Sequence, residues 1–207
     1  MPPPAHIGLD FDNTVAGYDR VFLEAGREAG LLPDAFIGTK KEIRDAIRSG
    51  PEGDIGWQRL QGQVYGKLMS RAALIEGVAE FLIQCRERGV PVSVISHKTE
   101  FGHFDSERIN LHQAARRWMT EHGFFDAERF AIPEERVHFE PDRAGKIARI
   151  CEVGCSHFID DLAEVFHDPS FPEDVDAILF AAGEDEPPEG PFAACRDWNE
   201  ISHVVLG

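Results

Sequence analysis

Residues 7–15 read Ile-Gly-Leu-Asp-Phe-Asp-Asn-Thr-Val, an apolar run that ends in two aspartates one residue apart. In a β-strand the side chains alternate between the two faces, so Asp10 and Asp12 project to the same side. Two neighbouring carboxylates repel each other, because each has to ionise in the field of the other. A divalent cation between them, or a proton kept on one of them, relieves the repulsion and indicates a functional site. The alternative is a strand that runs into a polar turn holding two aspartates.

Strands alternate with helices along the rest of the chain. Short apolar strands are predicted at 7–9, 92–95, 137–139, 157–159 and 177–180. Helices are predicted at 76–88, 108–122 and 141–151, with a helix or a helix–strand remnant at 198–206. This alternation is typical of a parallel sheet with helices on both faces. We therefore predict an α/β, Rossmann-like fold.

Residues 16–70 differ from the rest because they contain no convincing strand. Apolar residues recur at helical spacing in three stretches, which Pro33, Gly38 and Gly50 separate. We interpret this block as a small helical insertion. The predicted domains are then an α/β core made of 1–15 and 71–207, and a helical insertion at 16–70.

Polar residues are concentrated directly after three of the predicted strands. They are Asp10, Asp12, Ser96, His97, Lys98, Asp160 and Asp161. The carboxyl ends of parallel strands meet at one edge of the sheet, and ligands bind there in open α/β sheets. The sequence therefore predicts one functional site at that edge.

Composition excludes several classes of function. The chain has 207 residues, 43% of them hydrophobic, and a formal net charge of −16. A nucleic-acid partner is not expected, because phosphate backbones bind basic faces. No apolar run approaches the length of a membrane span, so we expect no membrane partner. The start Met-Pro-Pro-Pro has no secretory pattern and the four cysteines form no Cys-x-x-Cys pair, so a cytoplasmic location is predicted.

Taken in order, the motifs resemble those of the haloacid dehalogenase-like (HAD) hydrolase superfamily. The first motif is similar to residues 10–15, and the second is a Ser or Thr after a hydrophobic strand, here Ser96. The third is a lysine before or early in a helix, best matched by Lys146. The fourth is an acidic pair after a strand, here Asp160 and Asp161. The helical insertion stands where this superfamily has its first cap, so the resemblance is to the phosphatase branch with a small helical cap.

The resemblance implies a role for each of these residues. Asp10 would be the nucleophile that forms an aspartyl-phosphate, and Asp12 would be the general acid and base. Ser96, Lys146 and Thr14 would bind the phosphoryl group. Thr14 would also orient the first loop, and the alternative is that its hydroxyl merely stabilises the turn. Mg²⁺ would be held by oxygen ligands. Those ligands would be the Asp10 carboxylate, the Asp12 backbone carbonyl, Asp160 and Asp161.

Two departures from the family pattern leave alternatives open. Lys98 also follows a strand directly, so it is a rival to Lys146 as the phosphate-binding lysine. His97 stands where many relatives have asparagine. We hypothesise that His97, Lys98 and His103 face the leaving group of the substrate. The other interpretation is that they satisfy hydrogen bonds within their loop.

The function that the resemblance implies is a Mg²⁺-dependent phosphomonoesterase. Its substrate would be a small phosphorylated metabolite, such as a sugar phosphate or a nucleotide. A phosphotransferase or phosphomutase would use the same site, and a non-catalytic binding protein of the HAD fold is the alternative from another class. A haloacid dehalogenase is disfavoured, because dehalogenases of this superfamily lack an aspartate at the position of Asp12. The sequence does not indicate an oligomeric state.

Overall fold

The structure is a computed structural model that describes residues 5–104, 107–183 and 186–207. The chain divides into two compact units. The first, which we call the α/β unit, comprises Met1–Ala16, Leu74–Lys98 and His122–Gly207. The second, which we call the helical unit, comprises Gly17–Ala73 and Thr99–Glu121.

Strands and helices alternate through most of the chain, as the sequence predicts. In chain order the strands are β1 (Ile7–Leu9), β2 (Ala16–Gly17), β3 (Ala73–Leu74), β4 (Val92–His97), β5 (Val137–Glu140), β6 (His157–Asp160), β7 (Asp176–Phe180) and β8 (Ala193–Cys195). The helices are α1 (Asp19–Glu28), α2 (Lys40–Ser49), α3 (Gly53–Tyr65), α4 (Val78–Glu87), α5 (Leu111–Glu121), α6 (Arg143–Val153), α7 (Ala163–Phe166) and α8 (Trp198–Leu206). Two short 3₁₀ helices cover Met69–Arg71 and Glu134–Arg136.

The α/β unit is built on one six-stranded sheet with the order β5-β4-β1-β6-β7-β8. Every pairing in this sheet is parallel. β1 lies between β4 and β6, with Leu9 opposite both Val94 and Ile159. The residue after Leu9, Asp10, is therefore level with Ile95 in β4 and with Asp160, the last residue of β6. The predicted Rossmann-like α/β fold is confirmed.

Helices cover both faces of this sheet, as β7 illustrates. Ala177 and Leu179 belong to a buried apolar cluster that also contains Ile147 and Ile150 of α6. On the opposite face, the ring of Phe180 lies 5.9 Å from the ring of Trp198 in α8. Because successive residues of a strand face opposite sides of the sheet, β7 packs against a helix on each face.

A glycine at the centre of β1 lets a large aromatic ring fill the core. A Cβ atom added to Gly8 would come within 2.5 Å of the Phe158 ring and 2.8 Å of the Cys155 sulfur. Both of these residues are buried. Gly8 therefore leaves the space on this face of β1 to the Phe158 ring and the Cys155 sulfur.

The sequence did not predict three of the strands. β8 reads Ala-Ala-Cys and contains no β-branched residue, so composition gives no strand signal there. β2 and β3 have two residues each and pair with one another outside the main sheet. Such short segments fall below the length at which alternation of apolar residues can be recognised.

The helical unit has an aromatic core of its own. The rings of Phe22 in α1 and Trp57 in α3 stack with 5.0 Å between centroids. The indole of Trp118, on α5, is buried and donates a hydrogen bond of 2.9 Å to the carbonyl of Ala72. Residues 99–121 are therefore grouped with 17–73, whereas the sequence prediction assigned them to the core and limited the insertion to 16–70.

The sequence also led to predictions about membrane spans, secretion and cellular location. None of the helices within residues 5–104, 107–183 and 186–207 combines the length and apolarity that a membrane span needs. Residues 1–4, on which the predicted absence of a secretory signal rests, lie outside the described residues. The cytoplasmic location therefore stays a prediction.

Two half-buried histidines at the amino-terminal edge of the sheet make the fold sensitive to acid. Burial lowers the pKa of His6, and nearby Arg136 and His138 lower it further. Burial also lowers the pKa of His157, although Asp176 acts in the opposite direction. His6 Nε2 lies 2.9 Å from the hydroxyl of Ser93. Both imidazoles are therefore held preferentially in their neutral form.

We expect stability to fall as the pH drops below the ordinary histidine pKa of 6.5. The unfolded chain takes up these protons first, so the contribution is complete above pH 6.5 and is lost toward the lower pKa of the folded state. Urea unfolding at pH 7.5 and pH 5.5 measures the loss. The double variant His6→Gln/His157→Gln should lose less than the wild type. Exposed His203→Gln is the control, and equal losses in all three proteins would contradict the assignment.

Candidate active site

The loop after β1 presents Asp10 at the centre of the sheet edge. The Asp10 amide donates a hydrogen bond of 2.8 Å to the carbonyl of Ile159, which continues the pairing of β1 with β6. The chain then turns sharply, and Asn13 takes the left-handed conformation with φ of 65°. Asparagine tolerates this conformation better than most residues. The amides of Val15 and Ala16 both donate to the carbonyl of Phe11, which closes the turn.

The Asp10 carboxylate is buried and accepts hydrogen bonds from two other elements. Ser96, in β4, donates its hydroxyl to Oδ1 of Asp10 at 2.9 Å. The ammonium group of Lys146, in α6, lies 2.6 Å from the same oxygen. Both donors are almost fully buried. The carboxylate is therefore held in one orientation by one donor from a strand and one from a helix.

The start of α6 places Lys146 within reach of the strand ends. Asp142 is the N-cap residue of this helix, and its side chain accepts a hydrogen bond of 2.8 Å from the amide of Gly145. This cap fixes where the helix begins. Lys146 then lies in the first turns, and its Nζ atom is 2.6 Å from Oδ1 of Asp10 and 2.6 Å from Oδ2 of Asp160. One ammonium group thus bridges the aspartates that follow β1 and end β6.

The bridge changes the protonation equilibria of the groups that form it. Burial by itself would lower the pKa of Lys146, but the carboxylates of Asp10 and Asp160 outweigh it and raise the pKa above its usual value. Burial raises the pKa of Asp160, while Lys146 acts in the opposite direction. Lys146 is therefore charged at neutral pH, and Asp160 depends on that charge to remain ionised.

Three carboxyl groups at this edge form a candidate metal site. One oxygen each of Asp10, Asp160 and Asp161 lie within 4.8 Å of one another. Oδ1 of Asp160 accepts a hydrogen bond of 3.1 Å from the amide of Leu162, and Asn13 donates to Oδ2 of Asp161 at 3.4 Å. Carboxylate oxygens are the ligands that Mg²⁺ prefers, so the residues present fit this ion. The identity of the metal stays a prediction.

The second aspartate of the first loop has a lysine of its own. Nζ of Lys98 lies 2.9 Å from Oδ1 and 2.7 Å from Oδ2 of Asp12. Lys98 is buried, whereas Asp12 is partly exposed. The sequence left Lys98 and Lys146 as rivals for one role. In the structure Lys146 contacts the Asp10 carboxylate and Lys98 contacts Asp12, so the two lysines have different partners.

Thr14 is a fully buried residue of this loop. Within the described residues its Oγ1 atom has no hydrogen-bond partner. The carbonyl of Thr14 accepts a hydrogen bond of 3.2 Å from the indole of Trp198. This contact attaches the loop to α8. The roles predicted for Thr14, in orienting the loop and in contacting phosphate, stay predictions.

The two histidines proposed to face the leaving group are both exposed. His97 is the last residue of β4, and His103 belongs to the helical unit. Their roles toward a substrate stay predictions. Sequence reasoning missed the contact of Asn13 with Asp161 and the pairing of Lys98 with Asp12. The available signal was the presence of two lysines near strand ends, together with two separate aspartates.

Comparison with solved structures identifies the fold. The chain is similar to a HAD family hydrolase from Deinococcus radiodurans R1 whose structure has bound phosphate and sodium. The match covers 100% of this chain and 96% of the hydrolase, with 15% identity and a TM-score of 0.57. It is similar over 99% of both chains to the protein tyrosine kinase A of Mycobacterium tuberculosis, with 14% identity and a TM-score of 0.64. An L-2-haloacid dehalogenase matches with 14% identity, 99% and 100% coverage and a TM-score of 0.57.

These comparisons define the class of the fold. The structure has the fold of the HAD-superfamily hydrolases, as the sequence motifs predicted. No model of a protein family matches the chain. No curated protein matches it either. At such low identity the likeness extends to the fold, and what the site does has to be argued from its own residues.

Replacing the bridging lysine should destabilise the protein strongly. In Lys146→Met the carboxylates of Asp10 and Asp160 would stay buried without a positive partner, at a cost of about 3 kcal/mol in the free energy of unfolding. Urea unfolding at pH 7 measures it. The double variant Lys146→Met/Asp160→Asn should recover part of the loss, because the amide removes one of the buried charges.

The matched control for this substitution is an exposed lysine. Lys67 lies 2.9 Å from Glu107, and both side chains are more than half exposed. Lys67→Met should cost less than about 1 kcal/mol, as is usual for ion pairs at the surface. If Lys146→Met cost no more than Lys67→Met, the buried bridge would not contribute to stability as described.

Proposed function

We propose that this protein is a Mg²⁺-dependent phosphomonoesterase that acts on a small phosphorylated metabolite, such as a sugar phosphate or a nucleotide. The observation that carries this function is the buried Asp10 carboxylate, held by Ser96 at 2.9 Å and Lys146 at 2.6 Å. A carboxylate fixed in this way can attack phosphorus with little loss of orientational freedom. Phosphate bound in the structure of the D. radiodurans hydrolase supports a phosphoryl ligand for this fold.

Asp10 would carry out the first displacement. One of its carboxylate oxygens attacks phosphorus, and the bond between phosphorus and the ester oxygen breaks. Asp12, two residues further on, donates a proton to the departing oxygen. The products of this step are the free alcohol and an aspartyl-phosphate at Asp10.

Asp12 would assist the second displacement as a base. It accepts a proton from water, whose oxygen attacks phosphorus and breaks the bond to Asp10. Inorganic phosphate leaves and the Asp10 carboxylate is regenerated. Ser96 and Lys146 lie beside Asp10 and offer a hydroxyl and a positive charge to the phosphoryl oxygens in both steps.

A metal ion would complete the electrostatics of the site. Asp10, Asp160 and Asp161 would hold Mg²⁺ through their carboxylates, with the backbone carbonyl of Asp12 as a further ligand. When bound, Mg²⁺ supplies positive charge that offsets the repulsion between an anionic nucleophile and an anionic ester. The site has an excess of negative charge that a cation would offset. It contains four aspartates and two lysines, namely Asp10, Asp12, Asp160, Asp161, Lys98 and Lys146.

Phosphoryl transfer and dehalogenation are the two alternative activities for this fold. Phosphoryl transfer to a hydroxyl other than water would use the same residues, and one structural neighbour is named as a tyrosine kinase. Dehalogenation is the activity in the name of another neighbour. Asp12 favours phosphoryl chemistry over dehalogenation, because a halide leaving group needs no proton. A protein of this fold without turnover would be expected to lack Asp10 or Asp12.

The predicted partners follow from this function. The expected ligand is the phosphorylated substrate, and the −16 net charge argues against nucleic acid. A membrane partner is not expected.

The direct test is hydrolysis of 4-nitrophenyl phosphate with Mg²⁺ and after its removal with a chelator. We expect release in the wild type that needs Mg²⁺ and falls at least about 1,000-fold in Asp10→Asn, which lacks the attacking oxygen. Asp34→Asn, an exposed aspartate of the helical unit, is the matched control. Full activity in Asp10→Asn would contradict the proposed nucleophile.

Two further measurements separate the alternatives. Chloride released from 2-chloropropionate, with no phosphate released from the aryl ester, would indicate dehalogenation. A phosphorylated alcohol formed in the presence of glycerol, in place of inorganic phosphate, would indicate a phosphotransferase. If neither reaction occurs, binding of vanadate with Mg²⁺ distinguishes a site that rejects generic esters from a protein with no phosphoryl site.

A further inference from the structure

A second buried ammonium group lies at the edge of the sheet and is not part of the Lys146 bridge. Lys98 has 4% of its surface exposed, although it directly follows the last residue of β4. Its amide donates a hydrogen bond of 2.9 Å to the carbonyl of Glu140, which extends the pairing of β4 with β5 by one residue. Its Nζ atom lies 5.5 Å from the centroid of the Phe11 ring. Both the backbone and the side chain of Lys98 are therefore fixed.

This fixed ammonium group contacts both oxygens of Asp12. The distances from Nζ are 2.9 Å to Oδ1 and 2.7 Å to Oδ2, so both carboxylate oxygens point toward the ammonium group. The Asp12 side chain is 17% exposed, and it lies beside Asn13, whose φ is 65°. An aspartate at such a position can take several rotamers unless a partner selects one. Lys98 selects the orientation in which both oxygens lie toward β4.

We propose that Lys98 is the positioning residue of Asp12 and holds its carboxylate in place to accept the proton from the attacking water. This role rests on the proposed phosphatase function, because it concerns the second displacement of that reaction. It also assigns the two lysines to different steps. Lys146 serves the nucleophile Asp10, whereas Lys98 acts through Asp12 and does not bind the phosphoryl group.

The chemistry of the two displacements makes this assignment testable. The first step with 4-nitrophenyl phosphate needs no acid, because nitrophenolate leaves without a proton. The second step, attack of water on the aspartyl-phosphate, needs a base whatever the original leaving group was. Misplacing Asp12 should therefore slow the second step and spare the first. The aspartyl-phosphate would then accumulate.

The experiment is stopped-flow hydrolysis of 4-nitrophenyl phosphate by Lys98→Met with Mg²⁺. We expect a burst of nitrophenolate close to one equivalent of enzyme, followed by a steady state about 10- to 100-fold slower than that of the wild type. Intact-protein mass spectrometry after acid quench should find one added phosphoryl group. Lys98→Arg, which can again contact both oxygens, should recover most of the steady-state rate. Lys67→Met is the control for loss of an ion-paired lysine.

A double-mutant cycle tests whether Lys98 acts through Asp12. In the Asp12→Ala background, Lys98→Met should lower the steady-state rate by less than about 2-fold, since its target is already absent. Multiplied losses in the double variant would overturn the inference. A raised KM with unchanged kcat and no burst would also overturn it, because that pattern belongs to a phosphate ligand.

Other outcomes are also decisive. If Lys98→Met does not fold, Lys98→Gln, which keeps one donor and loses the charge, should give the same burst with a smaller loss of steady-state rate. Unchanged kinetics in this folded variant would overturn the positioning role. If the wild type releases no nitrophenolate and does not bind vanadate with Mg²⁺, the proposed phosphatase function fails, and the positioning role fails with it. An active wild type with an equal loss in both steps of the variant contradicts the inference alone.

Discussion

The ammonium group of Lys146, buried 2.6 Å from both Asp10 and Asp160, is the interaction on which the rest of the site depends. Two carboxylates cannot both ionise in a dry environment without a compensating charge. The lysine supplies that charge and at the same time fixes the position of the Asp10 oxygen. The same residue therefore makes the arrangement stable and orients Asp10, the proposed nucleophile.

The parallel sheet explains how residues far apart in sequence meet at the bridge. Asp10 follows β1 at the centre, Ser96 lies in β4 on one side, and Asp160 ends β6 on the other. Gly8 leaves room on one face of β1 for the ring of Phe158 from β6, which packs where a side chain would otherwise stand. The Asp142 cap then starts α6 where its lysine reaches both aspartates. The sheet register, the core packing and the helix cap all act on the same few atoms.

The sequence predicted most of the α/β unit, because its strands are apolar, β-branched and followed by polar residues. It also identified Asp10, Ser96, Lys146 and Asp160, which the structure brings together. It could not assign the lysines, because the partner of a charged side chain depends on tertiary contacts that spacing does not encode. β8 was missed because Ala-Ala-Cys has no strand signal of its own. The grouping of α5 with the helical unit depends on the buried Trp118, whose contact with Ala72 spans 46 residues.

The measurement that tests the central claim most directly is a crystal structure with Mg²⁺ and beryllium fluoride, a mimic of a phosphoryl group. We predict that the fluoride adduct is attached to a carboxylate oxygen of Asp10. Lys146 and Ser96 should lie within hydrogen-bond distance of the adduct, and the carboxylates of Asp10, Asp160 and Asp161 should hold Mg²⁺. An adduct attached elsewhere, or Asp10 left unmodified at saturating concentrations, would contradict the claim that this aspartate is the nucleophile prepared by the Lys146 bridge.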